Sequence, residues 1–325
     1  MDHRKGASRR EFIQGAGLVA GGLVSSAIVP TEGQAGSAPQ AGPDTPGARF
    51  ARLIERGEPL MAPGAFDIMS ARLIEVLGFE AAVVGGSAVS ANAYGIPDHG
   101  LVTVTELIEF SSRIAQSIDI PVMADADDAG GSPISVYRAI QGFERGGIAS
   151  VMIEDHIQAK HLGGGGRLVT TGEMVEKIRA AVDARRDPNF YIIARGDAMS
   201  IGLSKDEALD RGRAYAEAGA DMLFFAGMPQ DELPEAAEAT GKPLMTTVNS
   251  TPIAELRQNR VGLAVYASHA VNVAMGAAHD ALKELKETGQ VTDMRERSLP
   301  GAIRSQLTRT AESIERGRRY GLVEK

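Results

Sequence analysis

Three carboxylates, Asp125, Asp127 and Asp128, follow the short apolar run Pro121-Val-Met-Ala124 and precede Gly130-Gly131. Like charges packed this closely repel unless a cation neutralises them or water screens them. Hard oxygen donors suit Mg²⁺, with Mn²⁺ as the alternative, because Mg²⁺ keeps several waters and takes one or two protein carboxylates plus substrate oxygens. A solvated acidic turn is the plainer account of this stretch taken alone. Asp98, Glu154 and Arg195 widen the constellation, since each falls at or just after the end of an expected strand. Acids on one side and an arginine on the other suit a metal that holds a carboxylate substrate, and arginine is the natural two-pronged carboxylate clamp.

Positioning these groups requires an alternation of strands and helices. Short apolar runs at 59–62, 81–84, 121–124, 150–153, 191–194, 222–225, 243–246 and 262–265 read as strands. Amphipathic stretches at 68–77, 104–117, 133–146, 171–185, 205–218 and 269–287 read as helices between or after them. Apolar strands separated by helices pair in parallel, because parallel neighbours need a crossover. Eight such units in about 250 residues fit a closed (β/α)₈ TIM barrel. An open doubly wound sheet predicts a glycine-rich dinucleotide fingerprint after the first strand, and Ala62-Pro-Gly-Ala-Phe66 is not one. In a barrel the chemistry collects at the carboxyl ends of the strands. Those ends carry Gly85-Gly86-Ser87 and the same loop's Asp98, then Asp125 and Asp127, Glu154 and Asp155, and Arg195 and Asp197. Strand seven is followed by Thr247-Val-Asn249-Ser-Thr-Pro252, with Asn249 a candidate substrate contact, and strand eight by Ser268-His269.

From about residue 48 to 285 the chain resembles the isocitrate lyase and phosphoenolpyruvate mutase superfamily. The matching motifs are Pro63-Gly-Ala-Phe-Asp67, Gly85-Gly-Ser87 with Gly95-Ile-Pro-Asp98, Ala124-Asp-Ala-Asp127, Ile153-Glu-Asp155 and Ile193-Ala-Arg-Gly-Asp197. The resemblance implies Mg²⁺ bound directly by Asp125, with Asp98, Asp127 and Glu154 acting largely through metal-bound water. It further implies that Arg195 grips the carboxylate of a 2-oxo acid and that the amides of Gly86 and Ser87 hold its oxyanion. A homotetramer of barrels that exchange C-terminal helices is also implied. Asp67 and Asp197 read as structural caps. His99, His156 and His161 fall in the same mouth without an assigned role.

The lyases of this superfamily carry a loop Lys-Lys/Arg-Cys-Gly-His after strand four, whose cysteine protonates the carbanion left by carbon–carbon cleavage. Here that loop reads Ala159-Lys160-His161-Leu162-Gly163-Gly164, and the chain has no cysteine at all. Leucine cannot donate a proton. Decarboxylation removes the need for that acid, because carbon dioxide leaves without a proton and a divalent cation offsets the charge of the enolate. The oxaloacetate decarboxylase branch also matches the short connection after strand seven and the histidine after strand eight, His269. That histidine would position the substrate; its plainer role is as an N-cap of the last long helix. The expected activity is therefore Mg²⁺-dependent decarboxylation of an oxaloacetate-like dicarboxylate. Cleavage of 2-methylisocitrate or a substituted malate is the alternative, phosphonate chemistry is less supported by the single cation Lys160, and an exported, inactive binding protein is the reading of another class.

Composition bounds the partners. A net charge of -8 disfavours a nucleic-acid backbone as partner, and zero cysteines exclude disulfides and thiolate metal sites. Trp is absent, which argues against a base-stacking platform. At the N-terminus, Ser8-Arg9-Arg10-Glu11-Phe12-Ile13 before an apolar, Gly- and Ala-rich run resembles a twin-arginine export signal. Residues 1–47 are thus expected to be signal and linker, residues 48–290 the barrel, and residues 291–325 a helical tail. A periplasmic or other extracytoplasmic location follows, with no stable membrane insertion once the signal is removed; a retained anchor is the alternative. One helix over 302–321 is expected in the tail, packed on a neighbouring subunit or folded back on its own barrel.

Overall fold

The computed structural model describes residues 44–162, 166–292, 296 and 298–323. The expected export signal and the glycines at 163–165 lie outside them. Eight strands run β1 (Leu60–Pro63), β2 (Ala82–Val84), β3 (Val122–Asp125), β4 (Ser150–Glu154), β5 (Tyr191–Gly196), β6 (Met222–Phe225), β7 (Leu244–Thr247) and β8 (Val261–Tyr266). All pair in parallel in the order β1-β8-β7-β6-β5-β4-β3-β2. The remaining gap is spanned by a parallel bridge between Gly64 and Val83, where Ala65 N donates to Val83 O at 2.8 Å. Gly64 is required there: a Cβ would stand 1.9 Å from the Ala267 carbonyl oxygen. The result is the expected (β/α)₈ barrel.

Period-two alternation along each strand divides the core in two. Outward residues such as Ala124, Val151, Ile153, Ile192 and Leu223 pack under the surrounding helices. Inward residues fill the barrel, with Met123, Met152, Ile193, Met222, Phe224, Met245 and Leu263 in one cluster. Two residues further along the same inward rows of β3, β4 and β5 come Asp125, Glu154 and Arg195. The apolar plug is therefore the floor of the polar site.

The other end of the barrel is stoppered by helix α1 (Pro46–Ile54), which starts two residues inside the expected linker. Thr45 caps it and Pro46 occupies its first turn, where the missing N–H costs nothing. Its Phe50, Leu53 and Ile54 join the inward cluster, and Phe50 meets the Tyr191 ring edge-on at 5.4 Å. Helices α2 (Ile68–Val76), α4 (Val104–Ala115), α5 (Pro133–Arg145), α6 (Thr171–Ala184), α7 (Lys205–Glu217), α8 (Leu233–Thr240) and α9 (Ile253–Gln258) cover the outside. Short α3 (Gly86–Val89) leads out of β2. Asp67 is the structural cap expected of it: its carboxylate accepts from Ser70 N at 2.6 Å, and its own N–H donates to Ser70 Oγ at 3.0 Å.

The tail departs from expectation. In place of one helix over 302–321 there are two, Gly301–Leu307 and Thr310–Arg319. Arg309 breaks them by taking the left-handed conformation, φ 50°, and its guanidinium then donates to the Ser117 carbonyl at 2.9 Å. Arg72 of α2 donates to the Leu307 carbonyl at 2.7 Å, and Leu307 is buried. This part of the tail folds back on its own barrel. Helix α10 (His269–Thr288) behaves otherwise, with none of its twenty residues buried. No helix among the described residues is long and apolar enough to cross a membrane.

Candidate active site

Glu154 sits at the centre of the polar layer. Its side chain is almost wholly buried (1% exposed), at the end of β4 between the Asp125 row of β3 and the Arg195 row of β5. Glu154 Oε2 lies 3.2 Å from Arg195 Nη1 and Oε1 lies 3.2 Å from Lys160 Nζ. Burial pushes its pKa up to about 7, against the pull of Arg195 and Lys160.

Asp125 and Asp127 flank a sharp turn. Asp125 Oδ1 accepts from Asp127 N at 3.0 Å, while Asp125 Oδ2 accepts from Gly86 N at 3.1 Å. Asp127 takes a left-handed backbone, φ 49°, held by its carbonyl accepting from Glu154 N at 2.9 Å. Burial, helped by the Asp125 charge, raises Asp127 to about 6. Gly86 is required by this approach, since a Cβ there would lie 2.9 Å from Asp127 Oδ1 and 3.2 Å from Asp125 Oδ2. The Gly86 amide expected to hold a substrate oxyanion thus serves Asp125 here, and Ser87 beside it is exposed.

Lys160 was not expected in this cluster. Its ammonium lies 2.6 Å from Asp127 Oδ1 and 3.3 Å from Asp98 Oδ1, besides its contact with Glu154. Burial works against its charge, but Asp125, Glu154, Asp127 and Asp98 together outweigh that and raise its pKa. Charge balance was the available signal, because Lys160 is the one lysine of the loop after Glu154, facing an unneutralised acid set. Arg195 is likewise engaged by the protein. Nη2 donates to Asp197 Oδ1 at 2.8 Å, Nε lies 2.8 Å from Asp197 Oδ2, and the guanidinium stands over the Phe224 ring at 5.5 Å. Asp197 is therefore the partner that aims Arg195, which its reading as a loop cap missed. Asp155 lies behind it: Asp155 Oδ1 accepts from Asp197 N at 2.9 Å, and Oδ2 accepts from Tyr215 Oη at 2.7 Å.

The residues fit a hard divalent cation. The donors are all carboxylate oxygens, and Asp98 Oδ1 and both oxygens of Glu154 are buried in ion pairs with Lys160 or Arg195 that lack hydrogen-bond geometry. Among the described residues no three Asp, Glu or His side chains form a ready-made metal cage; the Lys160 ammonium stands among the acids instead. Asp98, Asp125, Asp127, Glu154, Arg195 and Gly86 are brought together as expected.

His269 and Asn249 form a second group. They line a pocket of about 400 Å³ with Thr247, Val265 and Asn272, at the ends of β7 and β8. His269 Nε2 lies 3.0 Å from the Asn249 carbonyl, an acceptor only, so that nitrogen carries the proton. Helix α10 begins at His269 and Ser268 holds the cap position. The hydrogen bonds and ion pairs of the acid cluster do not extend to this pocket among the described residues. His156 is buried with neither ring nitrogen hydrogen-bonded, 3.8 Å from Asp197 and edge-on to His161 at 5.4 Å between centroids. Through Asp197, His156 lies on the arginine side of the cluster.

A family model described as Phosphoenolpyruvate phosphomutase matches residues 50–286, a span that takes in every strand of the barrel and the whole acid cluster. The chain belongs to that family. Among its relatives, 2,3-dimethylmalate lyase of Eubacterium barkeri is 38% identical over 259 residues, 76% of this chain and 89% of the other. Oxaloacetate decarboxylase of Bradyrhizobium sp. is 34% identical over 276 residues, 83% of this chain and 95% of the other. A crystal structure of phosphonopyruvate hydrolase with oxalate and Mg²⁺ matches with a TM-score of 0.76 at 26% identity, covering 85% of this chain and 99% of that one.

Proposed function

We propose that this enzyme, a carbon–carbon lyase, releases carbon dioxide from a small 2-oxo dicarboxylate of the oxaloacetate type. The observation that carries the reading is Leu162, exposed on the loop at the place where the family's lyases present an acid, in a chain without cysteine. The carboxylate leaves as carbon dioxide, which takes no proton, and the enolate left behind can collect its proton from water, whereas the carbanion released by a lyase needs an acid held beside it. The similarity to oxaloacetate decarboxylase supports the same choice.

In this reading Arg195 pairs with a substrate carboxylate, its orientation fixed by Asp197. Asp98, Asp125, Asp127 and Glu154 would hold Mg²⁺ or Mn²⁺; that a related hydrolase is found in complex with oxalate and Mg²⁺ supports the choice of metal. Such an ion, when bound, offsets the negative charge that develops on the 2-oxo oxygen. Met152 and Phe224 beneath the cluster keep water from its floor. His269 and Asn249 face a pocket that takes the remote end of the substrate.

A second reading, cleavage of a substituted malate, is favoured by the higher identity to the dimethylmalate lyase. A panel of oxaloacetate, 2,3-dimethylmalate and 2-methylisocitrate with purified protein and Mg²⁺ separates the two. Carbon dioxide and pyruvate from oxaloacetate are expected; turnover of a malate or isocitrate with none of oxaloacetate reverses the ranking.

The assembly we propose is a homotetramer built through α10. Val271, Met275, Ala278, Leu282 and Leu285 recur at alternating steps of four and three, the spacing of a helix-packing seam. Met275 and Leu282 are 61% and 65% exposed on their own chain. Export by the twin-arginine route, to an extracytoplasmic location, is proposed from the motif at Arg9-Arg10 alone.

A further inference from the structure

Arg195 can grip a substrate carboxylate only if its guanidinium presents the right edge. Nη2 and Nε both face Asp197 at 2.8 Å, and Nη1 faces Glu154 at 3.2 Å. That leaves one N–H on each terminal nitrogen, the edge that takes a carboxylate with two prongs. The position of Asp197 therefore decides where the clamp points. Asp197 is wholly buried, and its N–H donates to Asp155 Oδ1 at 2.9 Å. Its Oδ1 accepts from Ser200 Oγ at 3.0 Å as well as from Arg195. Facing the same oxygen, at 3.8 Å, stands His156 Nδ1.

His156 is an unexpected occupant of its slot. The ring is 1% exposed, and among the described residues neither nitrogen has a hydrogen-bond partner. A buried polar group left unpaired is costly, so an apolar side chain of similar size would fill the space better. The slot is nonetheless shaped for this ring. His156 forms an isolated antiparallel bridge with Leu168, flanked by Ile157 N donating to Arg167 O at 2.7 Å and Val169 N donating to Asp155 O at 2.9 Å. Gly166 adds to the wall, since a Cβ there would stand 1.9 Å from His156 Nε2. His161 packs edge-on against the ring, 5.4 Å between centroids. The ring is thus pinned with Nδ1 toward Asp197. A carboxylate only accepts, so the neighbour it favours is an N–H. At 3.8 Å the contact is charge to dipole rather than a hydrogen bond, and a dry site screens it weakly. We propose that His156 is a positioning residue for the substrate clamp: its Nδ1–H steadies Asp197 against Arg195, and Asp197 holds the guanidinium's free edge toward the substrate carboxylate. His156 touches no reacting atom. Its effect belongs to binding shared by ground state and transition state, so it appears in KM and not in kcat.

The inference rests on the proposed pairing of Arg195 with the substrate, and the experiment separates the two. Oxalate affinity in the presence of Mg²⁺ is measured by calorimetry, beside KM and kcat for oxaloacetate, on the full chain of the wild type, His156→Leu, His156→Asn and Arg195→Lys. Leucine fills the slot without a donor, whereas the asparagine amide can place an N–H where Nδ1 stands. His156→Leu is expected to weaken oxalate binding and raise KM about tenfold, with kcat within about threefold of the wild type. His156→Asn is expected to recover both affinities to within about threefold. Equal loss in the two variants, or loss in neither, overturns the positioning role, while an Arg195→Lys enzyme weakened about tenfold or more keeps the clamp standing. Nitrogen NMR of isotopically labelled histidine in the wild type decides the matter if His156→Leu fails to fold. A protonated Nδ1 on His156 is expected, and a bare Nδ1 facing Asp197 overturns the proposal. Wild-type affinities in Arg195→Lys, or a wild type that binds neither ligand, remove the clamp reading and the positioning role with it.

Discussion

Glu154 and Asp127 hold protons at pH values where carboxyls in water have lost them. Burial raises Glu154 from 4.5 to about 7 and, with the Asp125 charge, Asp127 from 3.8 to about 6. A carboxyl whose pKa is higher folded than unfolded binds its proton more tightly in the folded state. Its stabilising contribution is complete below the unfolded pKa and is lost as pH rises through the folded one. Metal-free protein should therefore lose stability between about pH 5 and 8, by about 3 kcal/mol from Glu154 alone. Saturating Mg²⁺ should reverse that trend, because it needs the same oxygens deprotonated. Urea melts across this range, with chelator and with Mg²⁺, check both; a flat chelator profile sinks the assignment. Arg195 permits a sharper test of substrate binding. Its removal would leave Glu154 and Asp197 buried without their partner, so Arg195→Ala confounds binding with folding. Arg195→Lys keeps the charge and loses the fork. It should raise KM for oxaloacetate about ten- to a hundredfold while the melting temperature moves little. An unchanged KM would remove Arg195 from the substrate.

Strands and their order were legible because apolar runs bounded by turn residues are a local signal, and every expected strand lies within two residues of its observed one at either end. Asp125, Glu154 and Arg195 were legible for the same reason, since strand periodicity carries them inward. Lys160 was not. Its place depends on two left-handed residues in a loop, a conformation that Ala159 and His161 do not advertise. The break in the tail at Arg309 was hidden likewise, because the helical pattern runs through it and only a distant carbonyl, Ser117, rewards the interruption. Helix α10 poses the main open choice at this scale. A twenty-residue amphipathic helix with no buried residue stands only if something else covers its seam. Replacing Met275 and Leu282 together by Asp should reduce the particle, by light scattering, to a smaller species or monomers, with the barrel's circular dichroism largely kept. An unchanged mass would place the subunit contacts elsewhere. Helix α1 offers the matching test within one chain. Phe50→Ala empties the stopper of the barrel and should cost about 3–5 kcal/mol, read from denaturant melts.

At the scale of the molecule, closure of the barrel joins the most distant parts of the chain. Leu60 of β1 pairs with Leu263 of β8, so the sheet cannot close until nearly the whole sequence has been made. Non-local pairing of this kind is slow, and partly folded barrels expose strand edges to aggregation. A route that exports chains only after folding lets closure finish first, and under the proposed metal site it would also let the acid cluster load a cation before export. The Arg9-Arg10 pair ahead of a modest apolar run is the address proposed for such a route. Changing both arginines to lysine keeps two positive charges but removes the paired guanidinium groups, which lysine does not replace. Arg9→Lys with Arg10→Lys should leave folded, oxaloacetate-active protein in the cytoplasm, with the extracytoplasmic fraction reduced at least about tenfold. Fractionation with activity measured on each side checks this, because misfolded retained protein would lack activity and reveal a different fault. Delivery of the double variant at the wild-type level would show that these arginines are not an export address.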